Sequence, residues 1–170
     1  MAGGKDDPKI ASFLFGATLV ATLAGIFITI YYLFADPIFA YRIAAAILVG
    51  VVGVISFLRH AVFYRSDQAR MGWRQDHPEF QLEVGYANLA IGIAAFLAAG
   101  LNWGPLACGI TLLIYGLYLL CALLLHAHEA LYVKDLRARA TKSVLSTGIF
   151  VIALLIFAWL ALSTAHAIHF

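Results

Sequence analysis

YRSDQARMGWRQDHPEFQLEVGYANLAIG, Tyr64 to Gly92, decides how the rest of the chain is read. It begins as a basic, aromatic connector, turns at His77 and Pro78, and then runs into an apolar helix that carries Glu83 and Asn88. A charged loop feeding directly into hydrocarbon-compatible sequence is what a polytopic membrane protein presents at its membrane surface. Pro78 sits where a helix start leaves a backbone N–H unpaired in any case, so a helix is expected from Pro78, with Glu79 and Glu83 near the positive end of its dipole.

Outward from this stretch the composition agrees. Of 170 residues, 64% are hydrophobic and only 12% charged, too apolar for a water-solvated domain. The formal charge of +2 is too small for a nucleic-acid binder. The spacing predicts an all-α bundle of five transmembrane helices, at about 10–34, 38–60, 78–101, 106–132 and 143–165, each near the roughly 20 residues needed to cross a bilayer. The first run is longer than the apolar part of a signal peptide and lacks a small-x-small cleavage site after it, so it is read as a span. No internal repeat or linker divides the chain, and residues 1–170 are taken as a single membrane domain.

Small or weakly polar residues at helical spacing mark faces expected to touch protein: Thr18, Thr22, Gly25, Thr29 and Tyr32 in the first segment; Ala46, Gly50 and Gly53 in the second; Gly85, Asn88, Gly92, Ala95 and Ala99 in the third. Cys108, Tyr115, Tyr118, Ala122, His126 and Glu129 share one face of the fourth. Cys108 and Cys121, about 20 Å apart along that helix, cannot form a disulfide with each other.

Five crossings put Lys5, Lys9, Arg59, Arg65, Arg70, Arg74, Lys134, Arg137, Arg139 and Lys142 on one side and leave Arg42 toward the other. The positive-inside rule then places the N-terminus in the cytoplasm and the C-terminus outside a bacterial inner membrane. Arg65, Arg70, Arg74, Lys134, Arg137, Arg139 and Lys142 are expected to contact lipid headgroups. Arg42 is expected to snorkel in a structural role.

The same topology gathers Arg59, His60, Glu83, Asn88, His126 and Glu129 toward one end as a candidate polar or proton site. Arg59 with Glu83 is the expected pair, since a charge at a helix centre costs about 2.5 to 3.5 kcal/mol on insertion scales. His60 opposite His126 has the residue types for a haem, and His126 with Glu129 for a metal, but neither spacing is specific, and no metal ligand set is assigned. Phosphate-binding loops, zinc spacings, nucleophile elbows and dinucleotide fingerprints are absent from the sequence, so catalytic residues remain unassigned and the balance is against an enzyme.

At Gly72, Trp73, Pro78, Phe80, Gln81, Glu83, Gly85, Ala87, Asn88 and Gly92 the chain resembles a group of uncharacterised small bacterial membrane proteins. These share a Gly-Trp ahead of a proline and a Q-x-E-V-G-x-A-N helix start. It is also distantly similar to DoxX-like proteins, four-helix membrane proteins, some of which accompany quinone-linked oxidoreductases. The first resemblance implies membrane residence without known chemistry; the second implies a redox or quinone connection. Three functions are therefore carried forward: an accessory or assembly subunit of a membrane complex, docking partner subunits or its own copies; a redox-linked or quinone-interacting protein; and an oligomeric transporter of small solutes or protons. The cofactor stays open among haem, metal and quinone. The bilayer is the one partner common to all three.

Overall fold

The computed structural model describes residues 7–72, 78–132 and 137–169, and within them all side chains except those of 129, 130, 132, 137–143 and 169. Every regular element among the described residues is helical. Five helices are long and apolar enough to cross a membrane. They are α1 (Pro8–Ala35), α2 (Pro37–Val62), α4 (Glu79–Gly100), α5 (Gly104–Tyr132) and α6 (Arg137–His169), with a short α3 (Tyr64–Met71) between α2 and α4.

The boundaries follow from local chemistry. Asp7 caps α1 by accepting from the Lys9 N–H, and Pro8 fills the first turn, where its missing donor costs nothing. At the other end the Asp36 N–H closes α1 on the Tyr32 carbonyl, while the Asp36 carboxylate accepts from the Phe39 N–H and starts α2. Asn102 (φ 54°) and Gly104 (φ 88°) take the left-handed conformations that turn α4 into α5. The connector expected as a surface loop instead contains α3, whose Ser66 and Asp67 are buried.

α2 is the hub of the bundle, with α1, α4 and α5 packed around it and α6 seated mainly on α5. The α2–α4 crossing is the tightest. A Cβ on Gly53 would stand 2.7 Å from the Asn88 carbonyl oxygen, which only glycine permits, and one on Gly92 would stand 3.2 Å from the Gly50 oxygen, tighter than an ordinary contact. Lipid gives no hydrophobic drive for helix association, and close contacts of this kind supply dispersion energy instead. The α5–α6 pair runs antiparallel, with Gly109 against Leu162, Gly116 against Leu155 and Gly148 against Leu123. The common core holds Leu48, Val49 and Val52 of α2, Ala95 and Ala98 of α4, Cys108, Leu112 and Tyr115 of α5, and Leu154 of α6.

α2 is not a uniform α-helix. Ala45–Val51 and Leu58–Val62 are π-helical, as the Val52 N–H donating to the Ile47 carbonyl and the Phe63 N–H donating to the Leu58 carbonyl show. Widened turns of this kind alter the direction in which later side chains project. The second one carries Arg59 and His60.

At the end opposite α3, the Arg42 Nε donates to the Ala99 carbonyl at 2.9 Å, and the Tyr41 and Thr164 hydroxyls meet at 2.9 Å. Arg42 thus satisfies a carbonyl in the last turn of α4 and joins two spans, a structural role with a defined partner.

Candidate functional site

The polar residues assemble into two adjoining groups. The first is built around Asp67, whose side chain is 1% exposed although α3 is a short and mostly polar helix. Asp67 Oδ1 accepts from Arg70 Nε at 3.2 Å and Nη2 at 3.1 Å, and Arg59 Nε approaches it at 3.6 Å. Oδ2 accepts from Gln81 Nε2 at 3.3 Å and lies 3.0 Å from His60 Nδ1, off the line of the ring N–H. Beside Asp67, the Ser66 hydroxyl accepts from the Ala11 N–H and donates to the Asp7 carbonyl, which fastens α3 to the start of α1. The centre therefore joins α2, α3 and α4, and Ser66 extends the attachment to α1.

His60 has a defined protonation state here. Arg59 Nη2 lies 2.7 Å from His60 Nε2, and because a guanidinium only donates, Nε2 must accept. The ring is therefore neutral, with its proton on Nδ1, toward Asp67. Burial works to raise the Asp67 pKa, but contact with His60, Arg59 and Arg70 outweighs it and holds the carboxyl at about 2, below an ordinary 3.8. Arg59 and Arg70 also stand over the ring of Phe15, at 5.7 and 4.9 Å from its centroid.

The second group lies deeper. Asn88 Nδ2 donates to the Val84 carbonyl at 2.7 Å and to the Tyr118 hydroxyl at 3.1 Å, while its Oδ1 accepts from the Tyr115 hydroxyl at 3.0 Å. Asn88 and Tyr115 are 2% and 1% exposed, so these bonds replace water that the bilayer does not offer.

Of the residues expected at the site, Arg59, His60 and Asn88 lie in these groups. Arg59 pairs with Asp67 rather than Glu83, and Glu83 is exposed on the outer face of α4. Asp67 competes successfully because α3 folds back between the ends of α1 and α2, whereas Glu83 points out of the bundle. His126 is half-buried on α5, about 12 Å beyond Tyr118 along the helix. The Glu129 side chain lies outside the described residues, as do Arg74, Lys134 and the side chains of Arg137, Arg139 and Lys142. Arg70 turns to Asp67, and exposed Arg65 donates to the Tyr64 hydroxyl. Both nitrogens of His60 face protein groups, so axial haem ligation there would have to break the Arg59 contact or displace Asp67. Among the described residues no three His, Cys, Asp or Glu side chains are grouped to hold a metal ion. Both cysteines are free, Cys108 buried and Cys121 exposed.

Asp67 and Gln81 were not singled out as site residues from sequence. The signal for Asp67 was its position as an acidic residue flanked by Arg59, Arg65 and Arg70. Gln81 stood in the quoted helix-start pattern, but nothing in that pattern specified an interior direction.

The fold and its inward polar groups define a polytopic α-helical membrane protein. A family model of unknown function, DUF6790, matches residues 9–167, and the chain belongs to that family. Neither a curated protein nor a solved structure matches it.

Proposed function

We propose that the protein is an accessory or assembly subunit of a bacterial inner-membrane complex, with its N-terminus cytoplasmic and its C-terminus outside. The observation that carries this reading is Glu83. It lies inside a membrane-crossing helix, about 6 Å from Glu79 along the axis, is exposed, and has no hydrogen bond or ion pair among the described residues. The same face continues through Tyr86, Ile93 and Leu97, all exposed. A carboxylate on the outer wall of a span, about one turn in from its headgroup end, offers an attachment point to a cationic group on a partner helix. The small-residue ridges expected to dock partners are consumed inside the chain, at Gly53, Gly85 and Gly92, so this outer face of α4 takes over that role.

The test is affinity purification in mild detergent, comparing wild type with Glu83→Gln. A membrane partner retained by wild type and lost by the variant, with both equally folded, supports the proposal. Wild type running alone as a stable monomer, indistinguishable from the variant, removes its basis.

A second reading, interaction with a quinone, draws on the distant DoxX-like resemblance and on the Asn88, Tyr115 and Tyr118 hydrogen-bonding groups. Solvent extraction followed by optical detection of quinone decides it. No quinone in protein purified from native membranes counts against this reading.

A further inference from the structure

Two guanidiniums share one carboxylate at the α3 end of the bundle. Arg59 and Arg70 both approach Asp67, and His60 is neutral because its Nε2 accepts from Arg59, so this group of four side chains carries a net charge of +1. Its exposure is graded. Asp67 is the floor at 1%, while Arg59, His60 and Arg70 are exposed by 14, 17 and 21%, so the cations form the accessible rim.

The rim has donors to spare. Among the described residues Arg59 donates only from Nη2, to His60, and Arg70 only from Nε and Nη2, so Nη1 of each guanidinium has no acceptor. A surplus positive charge in a low-dielectric site is unfavourable until an anion meets it, and guanidinium forks match the oxygens of phosphate. The site lies where α2 ends and α4 begins, which is the depth of lipid headgroups for spans of this length.

We propose that Arg59 and Arg70 form a binding site for a phosphate group, presented by a membrane lipid headgroup or by free phosphate, with Asp67 holding both guanidiniums in place from beneath. Asp67 is then a positioning residue, and the surplus charge on Arg70 is what the phosphate neutralises. The proposal does not depend on Glu83 or on any partner subunit.

The experiment measures thermal unfolding of the delipidated full-length protein in an uncharged detergent. The additions are phosphatidylglycerol, diacylglycerol as the phosphate-free lipid, and inorganic phosphate. Arg70→Gln is the informative variant, because it removes the surplus charge and leaves Arg59 paired with Asp67. Phosphatidylglycerol at a hundredfold excess over its Kd is expected to raise the wild-type midpoint by about 5 °C or more, with no rise in Arg70→Gln. Native mass spectrometry is expected to show phosphatidylglycerol retained by wild type and lost from the variant. A wild-type rise with phosphatidylglycerol but not inorganic phosphate assigns the site to a headgroup, and an equal rise with both assigns it to soluble phosphate. No rise with either, a rise with diacylglycerol equal to that with phosphatidylglycerol, or a rise preserved in Arg70→Gln overturns the proposal.

Discussion

His60 presents Nδ1 to Asp67 at 3.0 Å and accepts from Arg59 at Nε2, so a neutral imidazole bridges a carboxylate and one of the two guanidiniums that the carboxylate steadies. Asp67 is the residue on which this arrangement depends. Replacing it by Asn leaves Arg59 and Arg70 facing each other in a buried site, and loss of one member of a buried ion pair costs about 3 to 5 kcal/mol. Asp67→Asn is expected to lower the unfolding midpoint in detergent strongly. Asp67→Asn combined with Arg70→Gln, which leaves one guanidinium, is expected to recover part of the loss. Unfolding curves for the two variants check both statements.

The same residue sets a pH dependence. The Asp67 pKa is lower in the folded protein, about 2 against 3.8, so its contribution is complete above the unfolded value and disappears as pH falls through about 4 to about 2. The size is about 2 kcal/mol at neutral pH, from roughly 1.4 kcal/mol per unit. Wild type is expected to lose this much across that acid window, while Asp67→Asn shows no such step. Stability titrations of both proteins provide the check.

The helix crossing gives a third prediction. Gly53→Ala drives a methyl group to 2.7 Å from the Asn88 backbone oxygen, which cannot move without shifting α4. A loss of about 1 to 3 kcal/mol is expected from overpacking. Gly16→Ala enters open space and is expected to be neutral or to gain up to about 1 kcal/mol from helix propensity. Paired thermal melts distinguish a site-specific clash from a general intolerance of added methyl groups.

Tyr115→Phe deprives Asn88 Oδ1 of its donor in a buried position, at a cost of about 1 to 3 kcal/mol. Tyr118→Phe is expected to cost less, because Asn88 Nδ2 keeps the Val84 carbonyl. Comparing the two variants by chemical or thermal unfolding ranks the bonds.

The spans were legible because hydrocarbon imposes a length and a composition, and both are written locally in the chain. The facing stripes were legible for the same reason: Thr22, Gly25 and Thr29, then Gly50 and Gly53, then Gly85, Asn88 and Gly92 fall at helical spacing and are buried, while Thr18, Tyr32 and Ala46 of the same stripes are half-buried. Arg59 and His60 were recognisable as functional candidates, but their partner was not. Pairing Arg59 with Glu83 assumed regular α-helical phase and an unstructured connector. Two π-helical turns in α2 and the burial of α3 through Ser66 invalidate both assumptions. Neither has a local sequence signature, since each depends on contacts between residues far apart in the chain.

Those widened turns make the aim of Arg59 and His60 a matter of residue count. Each one accommodates a residue beyond the α-helical repeat, so regularising Ala45–Val51 with no residue removed would swing everything after it by about 100°, whereas excising one residue would restore the ordinary repeat and keep the later side chains in phase. In the first case the two side chains would sweep toward lipid while the earlier half of α2 stayed seated. For this protein a single-codon deletion in that purely aliphatic stretch is expected to spare a charged cluster more than two helical turns away, and a single-codon insertion there to disarm it.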